Sequence, residues 1–180
     1  MDKIISSDKD LIKWIDFEQP FEFFNNEDKE KIRRIGTSLN NCLRKGTNLE
    51  SDEAFNIFKR LINNKKLKEN LIVFRGQKTI EYERALAKKH GMKNEYLYYD
   101  GFVYTSLYEE NYYYHDNVRI KIHIPAGTNY LFTGEYSNTP DSNELILDVG
   151  TVLKIVKKKQ NGEIIYIDAV VENNVHSSIE

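Results

Sequence analysis

The chain has 180 residues, of which 40% are hydrophobic and 30% are charged, and its formal net charge is −2. This length is typical of one globular domain, and the near-neutral charge argues against a dedicated polyanion-binding protein while leaving a local basic groove open. The only cysteine, Cys42, excludes an internal disulfide and a cysteine-rich metal site. The four histidines lack metal-ligand spacing, so we predict no metal.

The first part of the sequence predicts helices. Apolar residues between Leu11 and Phe17 form a short amphipathic helix that Pro20 closes. A longer helical pattern runs from about Glu27 to Lys45 and ends at Gly46. The segment Ser51-Asp52-Glu53 is typical of a helix start, and the apolar stripe that follows it predicts a third helix.

The second part predicts mainly strands. Leu71-Ile72-Val73-Phe74 is a short β-type run that ends at Arg75-Gly76, and a charged segment near 79–90 is expected to be helical. Later strands are predicted near 101–106, 118–124, 129–133, 144–149, 152–158 and 163–171. Helices first and strands afterwards favour an α+β fold over an alternating α/β fold. We therefore predict one domain over 1–180, helical at about 8–65 and mostly β at about 70–172.

Two groups of polar residues are candidates for a functional site. Thr37, Asn40 and Arg44 lie on one face of the second predicted helix, where they suit a phosphate, although a solvated helix face is the simpler interpretation. Glu144 stands where a turn-rich loop meets a buried strand. A rigid strand end beside a loop is a common position for a catalytic group, and a solvated strand start is the alternative.

In their order along the chain, these features resemble the mono-ADP-ribosyltransferase family of bacterial toxins and exoenzymes, especially C3-like members and the catalytic domains of binary toxins. That family carries an arginine at a strand end, a Ser-Thr-Ser-type strand, and a Glu-x-Glu or Gln-x-Glu motif after a loop. The matching segments are Leu39-Asn40-Asn41-Cys42-Leu43-Arg44, Arg75-Gly76, Tyr104-Thr105-Ser106, Ile124-Pro125-Ala126-Gly127-Thr128 and Ser142-Asn143-Glu144. The resemblance covers about residues 30–172. It implies an ADP-ribosyltransferase fold in which N-terminal helices pack on a core of two β-sheets.

The resemblance also implies that NAD is the co-substrate and that Glu144 is the catalytic carboxylate. Cleavage of the bond between nicotinamide and ribose develops oxocarbenium-like charge on the ribose, which a nearby carboxylate stabilises. Guanidinium groups match the geometry of the two phosphates. The residues implied in NAD binding are Arg75, Arg44, Asn40, Thr37, Gly76, Thr105, Ser106 and Tyr113.

Three positions in this site depend on further interpretation. Tyr113 is expected to stack on nicotinamide, and the run Tyr112-Tyr113-Tyr114 would equally suit an aromatic sheet edge. Tyr104 replaces the first serine of the family's Ser-Thr-Ser strand, and Ser142 stands where relatives have Glu or Gln. We group Tyr104 and Ser142 with Glu144 as catalytic candidates. Tyr104 would orient the carboxylate, with Thr105 and Ser106 as the alternatives for that role, and Ser142 would contact the acceptor.

The implied function is transfer of ADP-ribose from NAD to a macromolecular acceptor, expected to be a protein, with release of nicotinamide. A non-catalytic docking module of the same fold and an NAD glycohydrolase are the alternatives. No apolar run is long enough for a signal peptide or a membrane span, so we expect cytoplasmic synthesis and no membrane association. Action inside another cell would require a delivery partner, and an immunity partner is a further class to consider.

Overall fold

The computed structural model describes residues 1–34, 38–86 and 95–172. The helices are α1 (Asp8–Glu18), α2 (Asn26–Arg34), α3 (Ser38–Arg44), α4 (Glu53–Asn64), α5 (Thr79–Ala85) and α6 (Glu109–Tyr112). The strands are β1 (Leu71–Gln77), β2 (Tyr96–Tyr98), β3 (Val103–Ser106), β4 (Val118–Ile124), β5 (Leu131–Phe132), β6 (Glu144–Leu147), β7 (Val152–Asn161) and β8 (Ile164–Val171). The α+β class is confirmed, since helices dominate before β1 and strands after it.

Local capping explains where two of the helices begin and end. The Ser7 side chain accepts the backbone N–H of Asp10 at the start of α1, and Gln19 closes that helix in the left-handed conformation. Asp52 caps α4 by accepting the backbone N–H of Phe55, so the helix start predicted from the sequence is confirmed.

The long helix predicted from Glu27 to Lys45 is described as two helices, α2 and α3. Residues 35–37 between them lie outside the described part of the chain. The helical segment predicted near 79–90 is α5 as far as Ala85, and the rest of that segment falls outside the described residues.

The strands form one mixed sheet in the order β2-β7-β8-β4-β1-β3-β6-β5. The prediction of two sheets therefore needs correction. The halves β2-β7-β8-β4-β1 and β3-β6-β5 are joined through a single residue pair, Phe74 opposite Ser106. Strand patterns in a sequence show which faces are apolar but not which strands share hydrogen bonds, so this narrow junction could not be foreseen.

Two apolar clusters lie against this sheet. The first contains Trp14, Val103 and Leu147, and the second contains Phe58, Phe102 and Ile146. Neighbouring residues of β3 and β6 thus belong to different clusters, because side chains alternate along a strand. Packing on both sides holds these short strands firmly where the candidate site residues lie. Across the described ranges, no helix is long and apolar enough to span a membrane.

Candidate active site

Arg75 lies near the end of β1, and its guanidinium group is held by neighbours on several sides. Its Nε donates to Gln77 Oε1 at 3.1 Å, and its Nη1 donates to the backbone oxygen of Tyr104 at 2.7 Å. The ring of Tyr99 lies 5.6 Å from the guanidinium carbon, and Glu81 Oε2 lies 4.0 Å from Nη2. Because an arginine carries five N–H donors, these contacts fix the group without using all of its hydrogen-bonding capacity.

Gln77 is a site residue that sequence reasoning missed. Its side chain is almost fully buried, and its Oε1 also accepts a hydrogen bond from the Tyr99 hydroxyl at 3.0 Å. Burial raises the pKa of Tyr99, so the phenol remains a donor. Strand alternation was the available signal, because residues two apart point to the same side and Gln77 follows Arg75 by two. Gln77 Nε2 is buried and has no partner among the described residues.

Asn40, predicted to bind NAD, uses its side-chain amide on the backbone of Phe102. Its Nδ2 donates to the Phe102 oxygen at 2.8 Å, and its Oδ1 accepts the Phe102 N–H at 2.9 Å. A Cβ atom at Gly101 would come within 2.7 Å of Asn40 Oδ1, which explains the glycine at that position. Asn40 therefore ties α3 to the entry of β3, and we assign it a positioning role.

We expect Asn40→Ala to destabilise the fold. The substitution leaves both backbone groups of Phe102 buried without partners, which costs about 2–6 kcal/mol at about 1–3 kcal/mol per group. For a chain of this size, that loss lowers Tm by about 4–24 °C. The measurement is thermal unfolding followed by circular dichroism. The exposed Asn56→Ala, also in a helix, is the control and should change stability by less than about 0.5 kcal/mol; equal Tm values for the two variants would refute the positioning role.

Glu144 opens β6 directly opposite Ser106 of β3. Its side chain is partly exposed, and Oε2 lies 3.4 Å from the Thr133 hydroxyl. The backbone N–H of Thr133 also donates to the backbone oxygen of Glu144 at 3.1 Å. Thr133 is thus, like Gln77, a site residue that sequence reasoning missed. It follows β5, and the pairing of β5 with β6 is known only from the structure.

Ser106, predicted to bind NAD, anchors the loop that precedes Glu144. Its hydroxyl donates to the Ser142 backbone oxygen at 2.7 Å and accepts the Tyr108 N–H at 3.0 Å. Asn111 Nδ2 approaches the same hydroxyl at 3.3 Å. The Ser106 side chain is fully buried, so its hydroxyl joins β3, α6 and the loop.

Thr105, also predicted to bind NAD, points the other way. Its side chain is fully buried, and its hydroxyl donates to the Leu145 oxygen at 2.7 Å. Alternation along β3 places Tyr104 and Ser106 on one side of the strand and Thr105 on the other, so the structure does not bring Thr105 to the Glu144 carboxylate. Tyr104 lies opposite Ile146, and its side chain packs against the second apolar cluster.

The remaining candidates lie around the junction of β1 and β3. Tyr113 meets the ring of Phe74 edge to face at 5.6 Å, and Phe74 is the residue that pairs with Ser106. Burial raises the pKa of Tyr113 to about 12, so its ring stays neutral at physiological pH. Gly76 pairs with Arg119 in β4. Thr37 and the side chain of Arg44 lie outside the described part of the chain.

The Ser142 hydroxyl contributes to a turn just before Glu144. It donates to the backbone oxygen of Thr139 at 2.6 Å and lies 3.2 Å from the Thr139 hydroxyl. The turn is a short 3-10 segment that ends at Asn143, whose φ of 45° is left-handed. Ser142 therefore sits within a hydrogen-bonded loop whose backbone leads straight into the Glu144 strand.

Strand β3 links the basic and acidic parts of this site. It receives the Arg75 guanidinium on one edge, through the Tyr104 oxygen, and pairs with Glu144 on the other. Two strand spacings separate β1 from β6, which places the two backbones about 10 Å apart. Because side chains alternate along a strand, Arg75 and Phe74 point to opposite sides of β1. Strands β1 and β3 are paired only at Phe74 and Ser106, and the Arg75 guanidinium contacts β3 beyond that pair. Within the described ranges, no cluster of three or more His, Cys, Asp or Glu side chains could hold a metal ion.

Comparisons with known proteins identify the family to which the chain belongs. A search of curated proteins gives no significant match. The family model for the ADP-ribosyltransferase exoenzyme matches residues 17–174. Solved structures with the same fold include Plx2a, an ADP-ribosyltransferase toxin from Paenibacillus larvae, with TM-score 0.76, 21% identity and coverage of 96% of this chain and 100% of that one.

Two further relatives are C3 proteins. The Clostridium limosum C3 exoenzyme has TM-score 0.76 and 15% identity, with coverage of 96% of this chain and 98% of that one. C3stau2 from S. aureus, solved with NAD, has TM-score 0.74 and 18% identity, with coverage of 95% and 98%. At these identities the structures show a shared fold, whereas the family match spans most of the sequence. The chain therefore belongs to the ADP-ribosyltransferase exoenzyme family, whose members transfer ADP-ribose from NAD.

Proposed function

We propose that this chain cleaves NAD between Arg75 and Glu144 and transfers the ADP-ribose to a protein acceptor. The observation that carries the proposal is the double contact of β3, which bonds Arg75 through the Tyr104 oxygen and pairs with Glu144 through Ser106. A cation for the phosphates, on β1, and a carboxylate for the ribose, on β6, are thereby held on the two sides of β3. We also propose that the helical and β parts act as one domain over 1–180, since α4 packs on the second apolar cluster of the sheet.

Glu144 is the proposed catalytic residue because its carboxylate lies at a strand end and is partly exposed. As the nicotinamide–ribose bond breaks, positive charge develops on the ribose, and a carboxylate that is already in position stabilises it without reorganisation. The Thr133 hydroxyl, 3.4 Å from Oε2, restricts the orientation of that carboxylate. We propose that Tyr104, whose side chain packs against the second apolar cluster, supports β3.

Arg75 is the proposed phosphate-binding residue. Gln77, the Tyr104 oxygen and the Tyr99 ring hold the guanidinium before any ligand arrives. A donor group fixed in this way loses little conformational entropy on binding, and a guanidinium can meet a phosphate with two parallel hydrogen bonds. Tyr113, beside Phe74 at the same junction, is the aromatic residue proposed to contact nicotinamide.

We propose that Ser142 acts on the acceptor side. Its hydroxyl shapes the turn before Glu144, so Ser142→Ala should leave acceptor-free nicotinamide release nearly unchanged. Transfer to the acceptor should fall by about 2- to 10-fold, the effect of losing one neutral hydrogen bond. The control is Ser51→Ala, an exposed serine at the α4 start. Equal loss of both activities in Ser142→Ala would instead make Ser142 part of the NAD-cleaving machinery.

The experiment for the function is a paired assay of the purified chain with NAD. One arm measures nicotinamide release without acceptor, and the other measures labelled ADP-ribose incorporated into a cell lysate. Protease-sensitive labelled product is the expected result. Nicotinamide release without any labelled product would identify an NAD glycohydrolase, and no turnover in either arm would identify a docking module. Labelled product that resists protease would show that the acceptor is not a protein, and the proposed transferase activity would still stand.

A further inference from the structure

The outward side of β4, β8 and β7 carries cationic side chains at paired positions. We name as the outer basic face two neighbouring cross-strand rows: Arg119, Tyr166 and Lys159, then Lys121, Asp168 and Lys157. Residues that alternate with them, such as Ile120 and Ile167, are buried in the first apolar cluster. The face therefore opposes the core. It carries four cations and the Asp168 carboxylate, and beside it the Glu109 carboxylate accepts the Tyr114 hydroxyl.

These charges lie close enough to act together. Adjacent strands are about 4.8 Å apart and alternate residues about 7 Å apart, so the face measures about 10 Å by 7 Å between backbone positions. That size is comparable to the Debye length of about 8 Å at physiological ionic strength, so the fields of the cations add. The whole chain has a formal net charge of −2, and this positive face is therefore a local feature.

A β-bulge in β7 brings two of the lysines onto this face. The register shifts between Ile155 and Lys157, leaving Val156 as the extra residue. Beyond the bulge, Lys157 lies opposite Asp168 and Lys159 opposite Tyr166, both outward. With strict alternation, Lys157 and Lys159 would have pointed to the core side instead.

Arg119 is placed between two aromatic rings. Its guanidinium carbon lies 4.9 Å from the centre of the Tyr114 ring and 5.6 Å from that of Tyr166. It also donates to the Tyr166 hydroxyl at 3.3 Å. The Tyr114 side chain is 52% exposed, so one side of this aromatic group faces solvent. A partly buried cation thus lies beside one exposed ring and one partly buried ring.

Protection of a sheet edge is the simpler explanation for lysines on β7, since edge lysines discourage pairing with another chain. It does not explain Arg119 and Lys121. These lie on β4, which is paired on both sides by β1 and β8. Edge protection needs no cation on an interior strand, whereas a binding surface does.

The chemistry of the face favours a nucleic acid over an acidic protein. Lysine is depleted in protein–protein interfaces, whereas lysine contacts with phosphates supply most non-specific affinity for nucleic acids. An exposed tyrosine ring, Tyr114, beside cations matches the way that single strands are held, with the backbone on the charges and bases stacked on aromatic faces. We propose that the outer basic face binds single-stranded nucleic acid. This is independent of the proposed NAD cleavage.

The test is fluorescence anisotropy of the full chain with a labelled oligo(dT) of about 16 nucleotides, the upper site size of one single-strand-binding domain. Lys157→Gln/Lys159→Gln should weaken binding by more than about tenfold at low salt. It should also make the slope of log K against log salt less steep by about 1.4, at about 0.7 for each phosphate contact. Tyr114→Leu should weaken binding by about fivefold or more without changing that slope.

The matched control is Lys9→Gln/Lys13→Gln, which removes the same charge from exposed positions on α1. It should retain wild-type affinity. Three outcomes would overturn the proposal: no binding at low salt, equal affinity of the β7 and α1 double variants, or an unchanged salt slope in the β7 variant. Preference for polyglutamate or for vesicles of anionic lipid over oligo(dT) would overturn it as well, by assigning the face to an acidic protein or a membrane. NAD turnover, measured in parallel, should be the same in the wild type and in the two double lysine variants.

Discussion

Glu144→Gln should reduce nicotinamide release by about 100- to 1,000-fold or more, the range found when one preorganised electrostatic group is removed from an active site. The amide keeps the shape of the side chain and removes its negative charge. Since ribose charge develops only as the bond breaks, the carboxylate acts on the transition state and little on bound NAD. We therefore expect kcat to fall while the affinity for NAD changes only slightly.

A matched control for this variant lies in the same loop region. Glu135→Gln makes the same chemical change at an exposed residue of the short 3-10 turn Gly134–Tyr136. It should turn over NAD at the wild-type rate, while calorimetric titration shows comparable NAD affinity in both variants. Wild-type turnover by Glu144→Gln would rule out Glu144 as the catalytic carboxylate.

Arg75→Ala should have the largest effect on NAD binding. Hydrogen bonds to charged groups contribute about 1.5–3 kcal/mol, so the loss corresponds to about a 10- to 150-fold weaker Kd. Arg75→Lys should restore little of the NAD affinity. An ammonium group cannot contact Gln77 and the Tyr104 oxygen and still present a planar pair of donors to a phosphate. Isothermal titration calorimetry measures both affinities directly.

Two comparisons separate ligand binding from folding in this experiment. Arg33→Ala removes the same charge from an exposed position on α2 and should bind NAD as wild type does. Thermal unfolding of Arg75→Ala shows whether the fold persists without the contact to β3. A folded Arg75→Ala with wild-type NAD affinity would remove Arg75 from the phosphate site.

The sequence predicted the order of elements well because their signals are local. Asp52 and the apolar stripe after it identified α4, and the alternation of β4 identified a half-buried strand. The short β2 was not predicted, because three residues are too few for a periodic pattern. The pairing of strands was also beyond the sequence. The family resemblance implied two sheets, and the structure joins the two halves through a single Phe74–Ser106 pair.

The candidate site was predicted in part for the same reason. The positions of Arg75 and Glu144 at strand ends followed from composition and turns, which act over a few residues. Which residue of β3 lies opposite Glu144 depended on the strand register, and the structure puts Ser106, one of the alternatives, at that position. Asn40 had the polarity of a ligand-binding residue, yet its amide bonds the backbone of Phe102, 62 residues away. Contacts at such separation arise from packing and leave no local pattern.

The most direct test of the site is a crystal structure of the Glu144→Gln variant with NAD, which should remain uncleaved in this variant. If NAD is cleaved at this site, the pyrophosphate should lie within hydrogen-bond distance of the Arg75 guanidinium. The nicotinamide ribose should then contact the side chain at position 144. NAD bound on any other surface, or a pyrophosphate out of reach of Arg75 in a fully occupied complex, would contradict it.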